Sequence, residues 1–376
     1  MKTVTMILTN RFDPDVRVYK EARYLVESGY DVEILCWDRL KERPYAEVID
    51  GIRIRRFSPR AVYGTGLKQA VPFVRFLKEV NDYLKRHTPD ILHAHDLDGM
   101  LVALAYAKSH PELPLVFDMH EMYEVQGKKQ KIRPLVHLAV AHCQNKAHHI
   151  LYVHDMQKEG MSEANKKKLL FLPNYPDASN FQSDEKNQSP LLRISYIGSV
   201  RHAVQMRNLL DAAKPFPGVF IAIHGFGTAH DELARDQKNW PNALIGGPYH
   251  FSQSTELYQQ ADLMYLMYPM DTLQNRRAQP VKFFESIITR TPVLIHPESQ
   301  LACFVLEKDI GYLVNGDDPE DIARMLRHIL THPEELAQKR DNMKALQHDF
   351  TWERVVTALD DIYPPLRQRP EPTPLR

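Results

Sequence analysis

In the stretch Pro280 to Ile295, PVKFFESIITRTPVLI, a lysine and a glutamate three residues apart open what reads as a helix docked onto a strand. Pro280 is pre-set for a first helical turn. The backbone N–H groups that follow it have no intrahelical partner and form an anion site. Lys282 and Glu285 share one helix face. The helix dipole disfavours a cation at this end, and the simplest compensation for Lys282 is a bound anion such as a diphosphate. Glu285, one turn on, could accept from two vicinal hydroxyls, as a carboxylate does when it holds a ribose. An isolated KxxE also describes a surface ion pair on an ordinary amphipathic helix, so its meaning depends on what surrounds it.

Three loops at predicted strand ends supply further candidates. In YIGSVRH, Gly198 lets the backbone approach a phosphate closely, and Arg201 offers a fork that suits phosphate oxygens; with Lys282 it would clamp a leaving diphosphate. Gly225, in HGFG, ends another strand and would line a base pocket. In TNRFDPDVRVYKEA, Asp15 caps a helix beginning at Val16 or faces a hydroxyl-rich acceptor, while Arg17 could meet a phosphate or carboxylate of donor or acceptor. In LVFDMHEMYE, Asp118 is the last polar residue of a buried strand, with His120 and Glu121 just beyond it. A neutral histidine, with its ordinary pKa near ~6.5, can donate to a sugar hydroxyl and exchange protons. On the preceding strand His93 and His95 alternate onto one face. No third metal ligand stands at a sensible spacing, so capping by Asp96 and acceptor contact by His95 or Asp98 are the expectation, and no metal.

These loops require elements to hold them. VTMILT (Val4 to Thr9), VEILCW (Val32 to Trp37), ILHAH (Ile91 to His95), LVFDM (Leu115 to Met119) and HILYVH (His149 to His154) read as strands, with helical periodicity between them. This alternation is the signature of parallel βαβ units. Gly29 supplies a helix stop, and Asp50 and Gly51 a turn before IRIRRF. The polar run 179–190 reads as a hinge between residues 1–178 and 191–350. The second half repeats the pattern, with strands at RISYIG, VFIAIHG, ALIGG, DLMYLMY, PVLIH and GYLV and helices near 203–214, 252–261, 280–290, 319–331 and 333–348. A last helix covers 351–363, and the proline-rich tail 364–376 is expected to be disordered.

The segment GPYHFSQSTELYQQADLMYLMYPMDTLQNRRAQPVKFFESIITRTPVLI, with SYIGSVRH upstream, resembles the C-terminal domain of family 4 glycosyltransferases, retaining enzymes of the GT-B fold. The resemblance runs in element order over roughly residues 1 to 350 and is sharper in the second half. It implies two Rossmann-like doubly wound domains facing across a cleft, with 351–363 crossing back to the first domain. Glu285 would then bind the donor ribose, and His120 would contact the transferred sugar, with Asp118 and Glu121 beside it. Asn275 and Arg276 belong to a sub-pattern, N-R-x-A-x-P-x-K-x-x-E, that looks like a known variant of the donor motif. Many members carry an E-x7-E pair, and Arg277 stands here in place of the first Glu. The implied reaction is transfer from a nucleotide diphosphate sugar to a sugar, lipid-linked or other hydroxyl acceptor, with retention and without metal or cofactor. A nucleotide-sugar 2-epimerase of the same fold, or a non-catalytic partner subunit kept in view by Arg277, are the alternatives.

Composition agrees. At 376 residues the chain suits two domains. Lys+Arg and Asp+Glu are 48 each, which argues against a general nucleic-acid binder. No run of about 18 apolar residues appears, and MKTVTMILTNRFDPD reads as a first strand rather than a signal peptide, so a cytoplasmic enzyme is expected. Three dispersed cysteines make neither a disulfide framework nor a zinc site. Lys128, Lys129, Lys131 and Arg133 precede an apolar helix, and GLKQAVPFVRFLKEVNDYLKR mixes bases with apolar residues. Such segments either rest peripherally on an anionic membrane or are core-facing helices with solvated basic sides.

Overall fold

The computed structural model describes residues 1–13, 15–62, 69–120, 123, 133–181 and 189–369. It divides into two units, Met1–Asn174 joined by Val355–Glu371, and Tyr175–Arg354. In both, short runs of Val, Ile and Leu form strands buried on two faces, as a parallel sheet covered by helices requires.

Unit 1 runs β1 (Thr3–Leu8), α1 (Val16–Glu27), β2 (Asp31–Trp37), β3 (Ala46–Ile49), β4 (Ile52–Phe57), α2 (Ala70–Leu84), β5 (Ile91–His95), α3 (Asp96–Ala107), β6 (Leu115–Met119), α4 (Arg133–Lys146), β7 (His149–Tyr152), α5 (Glu163–Lys166) and β8 (Leu169–Phe171). The sheet order is β3-β4-β2-β1-β5-β6-β7-β8, and only the β3–β4 pair is antiparallel. That hairpin turns on Asp50 and Gly51, whose φ angles are 49° and 82°, the doubly positive turn the sequence predicts. Gly29, at φ 95°, ends α1. β1 lies between β2 and β5, so the strand order reverses there, and ligands in such sheets bind outside the carboxyl ends beside the reversal.

Unit 2 runs β9 (Leu192–Ile197), α6 (Ala203–Ala213), β10 (Val219–His224), α7 (His230–Arg235), β11 (Ala243–Ile245), α8 (Ser254–Gln259), β12 (Leu263–Leu266), α9 (Leu273–Arg276), α10 (Val281–Ile288), β13 (Val293–Ile295), α11 (Ala302–Glu307), β14 (Gly311–Leu313), α12 (Pro319–Thr331), α13 (Pro333–Met343) and α14 (Trp352–Val355), whose last residue begins the return segment. Its parallel sheet, β11-β10-β9-β12-β13-β14, reverses at β9. Pro280 is the N-cap of α10 rather than its first helical residue. The apolar side of α10 places Phe283, Phe284, Ile287 and Ile288 in the core, which turns the opposite side, with Lys282 and Glu285, outward.

Three expectations about connections change. Phe181 is buried against Tyr258, ring centroids 5.7 Å apart, so packed structure of unit 2 extends into the stretch read as a hinge; residues 182–188 lie outside the described residues. The segment 351–363 forms α14 and then a tighter 3-10 turn, Val356–Asp361. Of the tail, 364–369 is held in place and 370–376 lies outside the described residues: Tyr30 Oη donates to the Pro364 carbonyl at 2.9 Å, the Leu366 N–H donates to the Ser28 carbonyl at 2.8 Å, and Arg369 pairs with Asp360 over the Tyr24 ring. Proline content argued for disorder, but backbone acceptors at the end of α1 hold these residues. Of the basic run 128–133, Arg133 opens α4 and the rest lies outside the described residues.

The core of unit 1 is organised by aromatic stacking, with Phe76 of α2 parallel to Trp37 of β2 at 5.2 Å and edge-on to Phe57 at 6.1 Å. Phe76→Ala leaves a cavity in this contact and is expected to lower the stability of unit 1 by about 3–5 kcal/mol. Hydrogen exchange of the β1, β2 and α2 amides reads this; unchanged protection would contradict the packing.

Candidate functional site

At the reversal point of unit 2, the loops after β9 and β10 are joined by their backbones: the Gly198 N–H donates to the His224 carbonyl at 2.9 Å and the Val200 N–H to the Phe226 carbonyl at 2.9 Å. Gly198 has φ 126°, and a Cβ there would stand 3.0 Å from Lys282 Nζ. The glycine therefore gives the Lys282 ammonium access to the end of β9. Lys282 lies over the Tyr196 ring, 3.9 Å from its centroid. Burial lowers its pKa to about 8; Glu285 acts against this and Arg201 adds to it. Glu285 Oε2 accepts from Tyr258 Oη at 2.8 Å, and burial together with the Glu285 charge keeps Tyr258 and Tyr249 protonated. Arg201 is exposed, its Nε donating to Ser199 Oγ at 2.9 Å. His202 is held neutral by burial and by the neighbouring Lys282 and Arg201. A half-buried cation, a second cation and a carboxylate thus surround the free N-terminus of α10, an arrangement able to take an anion with a hydroxyl-bearing group beside it.

Gly225 and Arg276 make contacts within the protein. Gly225, at φ 135°, is required by backbone packing, since a Cβ would fall 1.9 Å from the Gly198 carbonyl oxygen. Arg276 is engaged within its own loop, Nε donating to the Met270 carbonyl at 2.7 Å and lying 3.6 Å from Glu298. Asn275 Nδ2 donates to Asp271 at 3.3 Å, and Arg277, where the pattern usually has a glutamate, ends α9.

In unit 1 a charged cluster lies beneath the carboxyl ends of β5 and β6. Arg17 Nη2 donates to Asp118 Oδ1 at 2.8 Å, Nε lies 3.1 Å from both Asp118 Oδ2 and Glu21 Oε1, and Nη1 donates to the Leu172 carbonyl at 2.9 Å. Arg17 is 4% exposed. It was expected to meet a ligand; instead its guanidinium is surrounded by protein acceptors and ties α1 to β6 and the end of β8. His95, expected at an acceptor, is wholly buried, its Nδ1 3.1 Å from Asp118 Oδ2. Asp96 does not cap α3: it is the first helical residue, at φ 60°, and accepts from the His120 N–H at 3.3 Å and Tyr123 Oη at 2.8 Å. Asp15 does cap α1, accepting from the Val18 N–H at 3.3 Å and from Asn10 at 2.8 Å. Asp98 is exposed in the first turn of α3. Glu121 lies outside the described residues.

His120 stands at the upper rim of this cluster, Nε2 2.6 Å from Asp118 Oδ2 and Nδ1 3.5 Å from Asp96 Oδ2. Burial works against its charge, but the two carboxylates outweigh burial and raise its pKa to about 9. An imidazolium, not the neutral ring inferred from the sequence, is the form at neutral pH. Burial likewise opposes the Asp118 charge, and Arg17 and His120 overcome it, holding the carboxyl well below its usual range.

Pattern reading missed Glu21 and Tyr363. Burial and the Asp118 charge push the Glu21 pKa up; its i,i+4 spacing from Arg17 was the available signal. Tyr363, from the return segment, meets His93 Nδ1 at 3.0 Å, and nothing local marks it. Glu21, His93, His95 and Asp118 each bring one possible ligand atom within 4.8 Å of the others, so the fold gathers the further ligands that spacing did not reveal. Arg17 already lies against both carboxylates, and a dication added there would meet its charge.

Residues 14–174 match the glycosyl transferase 4-like domain. Solved structures similar over 96% of the chain include sucrose-phosphate synthase from Thermosynechococcus elongatus (14% identity, 98% of that chain, TM-score 0.73). HepE of Anabaena in complex with UDP-glucose matches at 11% identity over 99% of its chain, TM-score 0.69. WaaG, a glycosyltransferase involved in lipopolysaccharide biosynthesis, matches at 13% identity over 99% of its chain, TM-score 0.66. No curated protein matches the chain. Residues 14–174 of unit 1 are thus similar to the glycosyl transferase 4-like domain, and the chain has the GT-B fold.

The His120 pKa is raised above the ordinary value of 6.5, so its contribution to stability is complete below about 6.5 and is lost as pH rises through about 9. The His120 imidazole is expected to titrate near 9 by NMR, and His120→Gln to flatten the decline of unit 1 stability across that window. A midpoint near 6.5 would contradict the pairing.

Proposed function

We propose that the chain transfers a glycosyl group from a nucleoside diphosphate sugar to an acceptor hydroxyl, with retention of the anomeric configuration and without a metal. The observation that carries this reading is the placement of Lys282: in the first turn of α10, over Tyr196, against the Gly198 backbone, with its charge weakened by burial. A diphosphate at the helix N-terminus restores that charge. As the anomeric C–O bond breaks, its electron pair passes to the leaving diphosphate, and Lys282, Arg201 and the α10 N–H groups act where that charge develops. Glu285, steadied by Tyr258, accepts from the donor ribose. The Asp118–His120 dyad supplies a fixed N–H donor for a hydroxyl of the transferred sugar. Arg17 and His120 balance the carboxylates of the buried cluster, so catalysis requires no dication there. Because HepE holds UDP-glucose in its structure, UDP-sugars are the donors to test first, and a role in polysaccharide or glycoconjugate synthesis follows from the same reading.

Peripheral membrane attachment through unit 1 belongs to this reading. Among the described residues no helix is long and apolar enough to cross a membrane, yet α2 exposes Val71 and Val74 on the face that carries Arg75 and Lys78, and α4 exposes Leu135 and Leu138 after Arg133. Co-sedimentation with anionic vesicles is expected at low salt and to fall at high salt. Indifference to anionic lipid would favour an acceptor free in solution.

Glu285→Ala is expected to weaken UDP binding by about 1.5–3 kcal/mol, the loss of hydrogen bonds to a charged group, as measured by calorimetry. Lys282→Ala should lower kcat more than it raises the donor KM. Acceptor-dependent product of unchanged anomeric configuration separates transfer from epimerisation. Unaltered UDP affinity in a folded Glu285→Ala protein would overturn the donor assignment.

A further inference from the structure

Residues 328–335, HILTHPEE, join α12 to α13. Pro333 is the first residue of α13; it has no N–H to donate and disfavours the helical region for the residue before it, so it stops α12 and turns the chain. His332 accordingly has φ −132° and ψ 60°. The turn is pinned by its backbone: the His332 N–H donates to the His328 carbonyl at 3.0 Å, and the Glu335 N–H donates to the His332 carbonyl at 3.1 Å. The first turn of α13 thereby comes back beside the last turn of α12, where His328 Nε2 meets Glu335 Oε2 at 2.8 Å. The His328 and His332 rings, four residues apart, stack with centroids 4.5 Å apart.

One possible ligand atom from each of His328, His332 and Glu335 falls within 4.8 Å of the other two. The cluster differs from the buried group around Asp118 in charge and in access. There Arg17 lies against both carboxylates; here, among the described residues, no lysine or arginine pairs with Glu335, whose ion-pair partner is His328. Lys339, one turn further along α13, is held by Asp309 over the Tyr312 ring, and Arg327 lies over Phe216. His332 is exposed and the other two are half-buried, so a hydrated ion reaches all three and keeps water in its remaining positions.

The local hydrogen bonds prepare the ligand atoms. His332 Nδ1 lies 3.0 Å from the His328 carbonyl and 3.0 Å from Thr331 Oγ1, and that hydroxyl donates to the Arg327 and His328 carbonyls. Nδ1 is therefore the donor of the ring and Nε2 carries the lone pair, the arrangement in which a carbonyl steadies a metal-binding imidazole. Between His328 Nε2 and Glu335 Oε2 sits a single proton. Two ligands on a tetrahedral zinc-sized ion stand roughly 3.3 Å apart, so an ion replaces that proton after an opening of about half an ångström. Turning the exposed His332 ring out of the stack aims its Nε2 at the same ion. The C-terminal carbonyls of α12 favour positive charge at this place. Two imidazoles and one carboxylate suit zinc, nickel or copper, whereas magnesium and calcium prefer oxygen ligands throughout.

We propose that His328, His332 and Glu335 bind a divalent transition metal of the zinc class, which clips the start of α13 to the end of α12. The site lies on unit 2 away from α10, takes no part in glycosyl transfer and does not depend on the donor reading. Its consequence is structural: α13 buries Lys339 and Met343, and a clip at its first turn suppresses local opening of the helix.

The test titrates the untagged full chain with zinc chloride, and separately with magnesium chloride, by calorimetry, while NMR follows the histidine ring nitrogens and the exchange of the α13 amides. Zinc is expected to shift the His328 and His332 ring resonances together and to slow α13 exchange; magnesium is expected to do neither. His332→Gln and Glu335→Gln should each weaken zinc binding about tenfold or more, since even the partners behind a ligand are worth roughly 10–100-fold in affinity, with UDP affinity unchanged. Cys303 is an exposed thiol that could take zinc by itself, so Cys303→Ser is expected to bind zinc as the wild type does. Absence of the paired ring shifts in the wild type, an equal response to magnesium, or zinc affinity untouched by both substitutions overturns the site. The ring shifts are read on the wild type, so they decide the matter even if a variant fails to fold.

Discussion

A charge removed from water must be answered by another charge or by hydrogen bonds, and the two units meet this requirement in different ways. In unit 1 it is met from within. Arg17, planted in the first turn of α1 by the Asp15 cap, reaches Asp118 on β6 and Leu172 beyond β8, so one buried ion pair fixes the helix, the strand and the loop that carries His120. The Asp118 carboxylate, held ionised by Arg17, then keeps His120 protonated and oriented. In unit 2 the requirement is met only in part. Lys282 has an aromatic face beneath it and Glu285 one turn away, and burial still lowers its pKa. On the proposed reading, a bound anion completes the site there.

What the sequence revealed was local. Short apolar runs located the strands, Gly29 and the Asp50–Gly51 pair marked their turns correctly, and Asp15 was recognisable as a cap because capping depends on two or three neighbouring residues. Lys282, Glu285 and Gly198 could be nominated because a helix start after Pro280 and a glycine after a strand are short-range patterns, and the structure brings Gly198 and Lys282 together. The misreadings share a cause. Arg17 and His95 sit at strand ends, where ligands bind, but their partners are 101 and 23 residues distant. No spacing rule could show that the fold closes over them. Tyr363 was missed for the same reason, its partner His93 lying 270 residues away, as was the order in the tail, where backbone acceptors of α1 outweigh a composition that disfavours packing.

The resemblance was read mainly from residues 195–295, whereas the domain match falls on residues 14–174. These are complementary rather than competing. In the second half the helix proposed to meet the donor keeps a short motif, while Arg277 departs from the usual pair. In the first half the determinants are dispersed over β1, β5 and β6 and become a site only through sheet order, which puts β1 between β2 and β5.

The central claim is that the α10 N-terminus awaits a diphosphate that restores the charge of Lys282. Observing the Lys282 side-chain amine by NMR as pH is varied, with and without UDP, tests it directly. The free protein should show a pKa near 8, below the ordinary 10.5, and saturating UDP should raise it. A Lys282 that titrates identically in both states would contradict the account.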